Sequence, residues 1–264
     1  MEKNMLRAER QAKILQIIRE KGSISSEELI ELFDVSHVTI RRDLVALASQ
    51  KLIVLEHGGA TSIDYLEGKP EPLYDTKLYV HSDKKTAIAR EAVKLIKDGD
   101  ILVLDSGTTN YRLAQQLKTE KFSALTVITS DIMVAKDLSS HSRIAVIILG
   151  GIVRKSYYNA YGPFTEMILG NLKANKLFLG FDGASMRRGF SNNVLEEVSV
   201  KQKMMEISDE TIALGDSTKY GVDAPYAICG WEKIQRVITD AAIDPQFISF
   251  FTEHGLSYQL ATEE

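Results

Sequence analysis

The stretch Ser36-His37-Val38-Thr39-Ile40-Arg41-Arg42-Asp43-Leu44-Val45-Ala46-Leu47 decides how this chain begins to fold. A serine hydroxyl readily accepts a backbone N–H at a helix start. Beyond it Ile40, Leu44 and Leu47 fall at i, i+4 and i+7, which predicts a helix with one buried stripe. At about 100° per residue the opposite side carries Val38, Arg42, Val45 and Ser49, flanked by Thr39 and Arg41. A helix seated in a core therefore presents two arginines outward. Upstream, Asp34-Val35-Ser36 reads as a tight turn. Ser25 with Glu28 gives a capping-box pattern ahead of Leu29, Leu32 and Phe33, predicting a short preceding helix. Ile14, Leu15, Ile17 and Ile18 predict a first helix over Arg7–Lys21, with Gly22 as its stop. Downstream, Leu52–Leu55 and Ala60–Ile63 flank His57-Gly58-Gly59 and read as a two-stranded hairpin. Residues 1–63 are thus expected to form a winged helix-turn-helix, whose last helix enters the major groove of DNA. Ser36, His37, Thr39, Arg41, Arg42, His57 and Gly58 are its candidate DNA-binding residues; the two histidines could touch DNA phosphates, but exposed loop histidine is the plainer reading of them.

Charge does not advertise a nucleic-acid partner. The 264 residues carry a formal net charge of −4, and residues 1–63 hold nine Lys and Arg against nine Asp and Glu. DNA affinity is then expected from local placement of basic groups and from doubling by oligomerisation, not from a broad positive field. With 44% hydrophobic residues the chain can bury one large core, or a small and a medium one. No apolar run approaches the roughly 18 residues of a membrane helix, and the charged start lacks a signal-peptide core, so a cytoplasmic protein without a membrane partner is expected. Cys229, the one cysteine, excludes an intrachain disulfide and a thiolate zinc site, and reads as a packed small residue.

Residues 64–83, with Pro70 and Pro72 in a polar stretch, have the composition of a linker. Beyond them, apolar runs at 101–104, 125–128, 144–149, 177–179, 212–214 and 237–238 alternate with helical patterns at 84–96, 109–117, 132–138, 165–172 and 198–207. Such alternation predicts an α/β fold with a doubly wound parallel sheet over residues 84–264.

The chemistry is concentrated where those strands end. Leu102-Val103-Leu104 runs into Asp105-Ser106-Gly107-Thr108-Thr109, a small-residue turn opening a helix; backbone N–H groups, hydroxyls and the helix N-terminus would together cradle an anion. Thr129-Ser130-Asp131 and Gly150-Gly151 follow the next two strands and are expected to repeat that geometry, converging beyond the carboxyl ends of the sheet. Small residues also simply make tight turns. Lys219, after Asp216-Ser217-Thr218, either neutralises a phosphate or is a solvated surface lysine. Glu197 and Lys201 stand at i, i+4, the spacing of a helix-surface ion pair. Asp182 and Asp240 suit either sugar hydroxyls or helix caps. No G-x-x-x-x-G-K, G-x-G-x-x-G or H-E-x-x-H motif occurs, and the histidines at 37, 57, 81, 141 and 254 are scattered; no cofactor, metal or catalytic residue is expected.

Ser23–Ala60, with Val35-Ser36, Thr39-Ile40-Arg41-Arg42-Asp43-Leu44 and His57-Gly58-Gly59-Ala60, closely resembles the DNA-binding domain of the DeoR family of sugar-metabolism regulators. The resemblance continues through Gly99-Asp100, Asp105–Thr109, Gly150-Gly151, Asp182-Gly183, Glu197 with Lys201, Asp216–Gly221 and Thr239-Asp240. It implies an effector domain similar in fold to ribose-5-phosphate isomerase and glucosamine-6-phosphate deaminase, in which Asp105, Gly107, Thr108, Thr109, Gly150, Gly151 and Lys219 surround a phosphorylated sugar. It also implies that Arg41 and Arg42 lie on the recognition helix. Glu56 stands where the family usually has a basic residue, and Ser130-Asp131 replaces a usual Asn after Thr129. The expectation is a regulator, a repressor of a carbohydrate-utilisation operon. Its effector-binding set is Asp105, Ser106, Gly107, Thr108, Thr109, Thr129, Ser130, Asp131, Gly150, Gly151, Asp182, Glu197, Lys201 and Lys219. Its partners are double-stranded operator DNA, a sugar phosphate and further copies of itself in a homodimer or homotetramer. The rival is a sugar-phosphate isomerase with a DNA-binding appendage, disfavoured because no base and acid pair shows a spacing suited to proton shuttling.

Overall fold

The computed structural model describes residues 5–21, 23–50, 52–56, 58–62, 74–155 and 157–262; the expectations for Gly22, His57, Ile63, Pro70 and Pro72 lie outside them. The chain forms two compact units, residues 1–82 and 83–264.

In the first unit, helices α1 (Arg7–Lys21), α2 (Ser26–Phe33) and α3 (His37–Ser49) are accompanied by strands β1 (Ser23–Ser25), β2 (Ile53–Glu56) and β3 (Gly59–Ser62). Local chemistry sets the helix ends. Ser25 and Glu28 cap α2 reciprocally, Asp34 turns the chain in a left-handed conformation (φ 48°), and Ser36 accepts the Thr39 N–H to start α3. Ile14, Leu15 and Ile18 of α1 meet Leu29 of α2 and Ile40, Leu44 and Leu47 of α3 in one core. The wing has three strands, not the two expected: β1 pairs antiparallel with β3, which pairs with β2. Gly59 makes this possible, because a Cβ there would collide with the Ile24 carbonyl and the Ser25 backbone. A further helix, α4 (Tyr74–Tyr79), lies inside the stretch read as linker, buries Tyr74 and packs on α1.

Asp43 was not singled out by sequence, yet it is 1% exposed on α3. It accepts from Arg10 Nε at 2.6 Å and Gln11 Nε2 at 2.8 Å, both on α1, with Arg7 3.4 Å away. These bonds fix α3 on α1 along the edge of the same buried stripe.

The second unit begins with α5 (Ser82–Val93) and alternates β4 (Ile101–Leu104), α6 (Thr108–Leu117), β5 (Leu125–Thr129), α7 (Ile132–Leu138) and β6 (Ile144–Ile148). A small hairpin, β7 (Ile152–Val153) with β8 (Ala160–Tyr161), leads to α8 (Pro163–Leu169) and β9 (Ala174–Gly180). Then come β10 (Gly183–Ser185), β11 (Gly189–Asn192), α9 (Leu195–Glu206), β12 (Ser208–Leu214), β13 (Tyr226–Cys229), β14 (Arg236–Asp240), α10 (Pro245–Glu253) and β15 (Ser257–Ala261). Seven strands form one parallel sheet in the order β15-β14-β12-β9-β4-β5-β6, and β10, β11 and β13 make a separate antiparallel sheet. Successive side chains of β4 serve opposite faces. Leu102 and Leu104 pack with Ile88, Leu113 and Val134 of α5, α6 and α7, whereas Val103 packs with Leu169, Met204 and Phe251 of α8, α9 and α10. Helices thus cover both faces, as the continuous apolar strands required. The strand order reverses between β4 and β9, the switch point beyond which ligands collect in open parallel sheets.

Replacing Asp43 with Ala strands the half-buried Arg10 and should destabilise the first unit by about 3 kcal/mol. Trp231, the single tryptophan, lies in the second unit beside Phe190 and Phe250. The loss is therefore expected in a urea transition followed by far-ultraviolet circular dichroism, while the transition followed by tryptophan emission keeps its midpoint.

Candidate functional site

The DNA-facing candidates fall into two groups. Arg41 and Arg42 are exposed on α3 together with His37, Val38 and Val45, so the face opposite the core is open. Ser36 and Thr39 serve the helix start instead: the Ser36 hydroxyl receives the Thr39 N–H at 3.3 Å and lies 2.9 Å from the Thr39 hydroxyl. Gly58 is exposed at the wing turn with φ 91°, and its carbonyl accepts the Ser26 N–H at 2.7 Å, linking the wing to the start of α2.

At the switch point, Asp105 follows β4 and is 1% exposed. Its oxygens receive three N–H donors: Ser106 N at 2.8 Å, Gly180 N at 2.9 Å and the Lys201 ammonium at 2.5 Å. Lys201, 3% exposed on α9, also donates to the Gly180 carbonyl at 3.1 Å. Burial opposes both charges, pushing the Asp105 carboxyl up and working against the Lys201 ammonium. For Lys201 the carboxylates of Asp105 and Glu197 outweigh that cost and its pKa is raised. The rise in the Asp105 pKa would favour a neutral acid, but a carboxyl that only accepts hydrogen bonds is ionised, so we read the pair as ionised on its donor pattern.

Glu197 stands one helical turn before Lys201. Both are buried, which corrects the surface ion pair that their spacing suggested. Glu197 Oε1 accepts from Arg154 and from Asn159, each at 2.9 Å, and its Oε2 accepts from Asn192 at 3.1 Å. Burial raises its pKa, but the charges of Lys201 and Arg154 and the two amide donors lower it further, leaving a net depression. The site is therefore a row of alternating charges, Asp105, Lys201, Glu197 and Arg154, held at the ends of β4 and β9 by α9 and the β7–β8 hairpin.

The turn after β4 is open in front. Gly107 has φ 126°, no side chain caps α6, and a Cβ built on Gly107 would meet nothing within 4 Å. Ser106 is half-buried beside it, and Thr108 and Thr109 are buried. The other two turns differ from expectation. Asp131 caps α7 itself, accepting from Met133 N at 2.8 Å and Val134 N at 3.1 Å, and its second oxygen accepts from Gly107 N at 3.2 Å. The α7 N-terminus is thus already filled, and Thr129 and Ser130 are buried with it. After Gly150-Gly151 the chain enters the β7–β8 hairpin, not a helix. The Gly150 carbonyl accepts from Thr165 Oγ1 at 2.7 Å, and both glycines are exposed.

Lys219 is half-buried, donates to the Phe181 carbonyl at 2.5 Å just after β9 and sits 5.6 Å from the Phe181 ring centre. Asp182 receives Asn193 N at 3.0 Å. Asp240 receives Ser217 N at 2.7 Å, Ala242 N at 3.1 Å and Lys84 Nζ at 3.0 Å, so it organises the turn that carries Lys219. Sequence reasoning missed Arg154, Asn159, Asn192 and Lys84; Arg154, Asn159 and Lys84 reach their partners across long stretches of chain, and Asn192, five residues before Glu197, lies on a strand whose approach to α9 no local pattern announces. Among the described residues no cluster of His, Cys, Asp and Glu suits a metal ion, and no helix is long and apolar enough to cross a membrane. Burial pushes the half-buried Cys229 thiol up to about 12.

Residues 10–65 match the DeoR-like helix-turn-helix domain and residues 80–241 match the DeoR C terminal sensor domain. A helix-turn-helix transcription regulator with a sensor unit is thereby defined. The chain belongs to the DeoR family. It is 37% identical over 241 residues to the HTH-type transcriptional regulator YulB of Bacillus subtilis, covering 91% of this chain and 92% of that one. It is 32% identical over 260 residues to the HTH-type transcriptional repressor GlcR of the same organism, covering 98% of each. Among solved structures, the ribose 5-phosphate isomerase A of Methanocaldococcus jannaschii is 18% identical with a TM-score of 0.39, over 53% of this chain and 54% of that one. The relatives are named as transcriptional regulators, and the chain is a transcription regulator of that family.

Burial raises the Asp131 pKa to about 6, against the pull of its backbone donors and with a further push from Asp105. A carboxyl whose pKa is higher folded than unfolded stabilises the fold at low pH, and that contribution is lost as pH rises through the folded value. Between pH 4 and 7 the wild type should therefore lose on the order of 3 kcal/mol relative to Asp131→Asn, on top of a constant offset from the altered Gly107 contact. Urea midpoints read from Trp231 emission across that range check it; a pH-independent difference would contradict it.

Proposed function

We propose that this chain represses a carbohydrate-utilisation operon in the cytoplasm as a homodimer or homotetramer, with operator binding controlled by a phosphorylated sugar held at the carboxyl edge of the parallel sheet. The observation that carries the reading is the turn after β4. An uncapped helix N-terminus opens onto free space at Gly107, beside the Ser106 hydroxyl and at the topological switch point. Lys201 and Arg154 are already engaged by carboxylates. A phosphate would be held by the backbone N–H groups of α6, with Lys219, half-buried on the turn after β12, contributing positive charge at the same edge. Asp105 and Glu197, buried and held by the donors described above, fix the frame against which the sugar would sit.

On the DNA side, Arg41 and Arg42 have the reach to read guanine edges or phosphates, and the exposed Val38 offers an apolar contact for a thymine methyl. Ligand binding would shift the population between arrangements that do and do not present two such helices to successive grooves.

Thermal unfolding of the full chain with pentose and hexose phosphates tests the effector reading. A matching sugar phosphate at a hundredfold over its Kd should stabilise by about 2.7 kcal/mol, its unphosphorylated form should not, and Lys219→Ala should weaken the response about tenfold, roughly one charge-assisted hydrogen bond. Equal shifts from phosphorylated and plain sugars would overturn it. In gel-shift titrations, Arg41→Ala and Arg42→Ala should each weaken operator binding by about 1–3 kcal/mol; unchanged affinity in both variants would remove α3 as the reading helix.

A further inference from the structure

Six large apolar side chains of the second unit, Ile148, Ile152, Val153, Phe164, Met167 and Leu195, are 49–66% exposed, whereas no other among the described residues of that unit exceeds 39%. Five of them belong to one neighbourhood beside β6, the edge strand of the parallel sheet, whose outer backbone groups face no further strand of it; the sixth, Ile148, ends that strand and alternates with Ile147 toward the α5–α7 side. Ile152 and Val153 form β7, and Ile152 Cδ1 lies 3.8 Å from where a Cβ on Gly162 would sit, so the hairpin borders the start of α8. Phe164 and Met167 are three residues apart on α8 and share a face. Glu166 of α8 accepts from Ser199 of α9 at 2.6 Å, and Leu195 lies one turn before Ser199.

We propose that this face, built from the β7–β8 hairpin and the outer side of α8 beside the β6 edge, is where two copies of the chain pair. Area and charge both favour a second copy as the occupant. Side chains of this kind expose roughly 60–120 Å² of apolar surface each, so the patch presents on the order of 500 Å², at the upper end of what a monomer leaves in water. A standard interface takes about 800 Å² from each partner, of which about 65% is apolar in homodimers; the patch matches that apolar share. Its charged neighbours select no charged partner: Arg154 is held by Glu197 and Glu166 by Ser199, while the exposed Lys155 and Glu196 add one charge of each sign. An open edge strand beside an apolar face is also the arrangement that self-association covers.

The same hairpin places Arg154 and Asn159 on Glu197, so the pairing face and the row of alternating charges share one small element. This link to regulation rests on the effector reading above; the pairing itself does not, and its test uses neither sugar nor DNA.

Sedimentation equilibrium of the full chain at micromolar concentration should show reversible association, and Ile152→Lys and Met167→Lys should each weaken one association step by about tenfold or more. Val222→Lys, at an exposed site elsewhere, should leave it unchanged. Unaltered Trp231 emission certifies the fold of each variant. In the wild type, amide hydrogen exchange across residues 148–167 should slow as concentration rises through the dissociation constant, a readout independent of any substitution. A monomeric wild type overturns the proposal and leaves the face to a different protein. Association that survives both lysine variants, or concentration-dependent protection confined to other segments, overturns it as well.

Discussion

Lys201 is the group on which the second unit depends. Its ammonium has left water, and burying a charge is tolerable only where opposite charge and hydrogen bonds replace the lost hydration. Asp105 supplies that replacement from the end of β4, 96 residues earlier in the chain, and the Gly180 carbonyl supplies it from the end of β9. The two strands that meet at the switch point are thereby fastened to α9. From the same helix, Glu197 extends the fastening to the β7–β8 hairpin through Arg154 and Asn159, and to β11 through Asn192. Every charge in the row has neighbours of opposite sign, which is what lets four ionic groups sit together at a protein interior without an uncompensated ion.

A second anchor operates at the far side of the sheet. Lys84, early in α5, donates to Ser217 at 2.9 Å and to Asp240 at 3.0 Å, and burial of Asp240 is outweighed by the Ser217 N–H and Lys84, which depress its pKa. The turn presenting Lys219 is thus tied to the helix that opens the second unit. The switch point and this turn are two places where loops from distant parts of the chain are pinned to the sheet's carboxyl edge.

Helices α1–α3 and strands β2 and β3 of the first unit were legible in the sequence to within a residue or two because their determinants are local: a capping box, a serine cap, and apolar residues at helical spacing. What escaped were elements too short to carry a period, the three-residue β1 and the six-residue α4. In the second unit β4, β5, β6, β9, β12 and β14 of the parallel sheet and helices α5–α9 were legible, whereas its edge strand β15, α10, the β7–β8 hairpin and the antiparallel sheet were not. Two of the three expected anion cradles were misread for one reason. Small polar residues at a strand end do not say whether the next helix is capped by its own side chain, as Asp131 does, or whether a helix follows at all, as after Gly150-Gly151. Likewise an i, i+4 Glu and Lys pair looks the same on a wet face and a dry one. Its burial is decided by Arg154, Asn159 and Asn192, partners that arrive from other elements.

The two faces of α3 divide their labour. Ile40, Leu44 and Leu47 with Asp43 dock the helix onto its own unit, and none of them is exposed; Val38, Arg41, Arg42 and Val45 take no part in that docking. Exchanging exposed residues of this kind ordinarily moves stability by no more than about 0.5 kcal/mol. A lineage built on this scaffold is free to drift from one target sequence to another by changing the outward face alone, without passing through an unfolded ancestor.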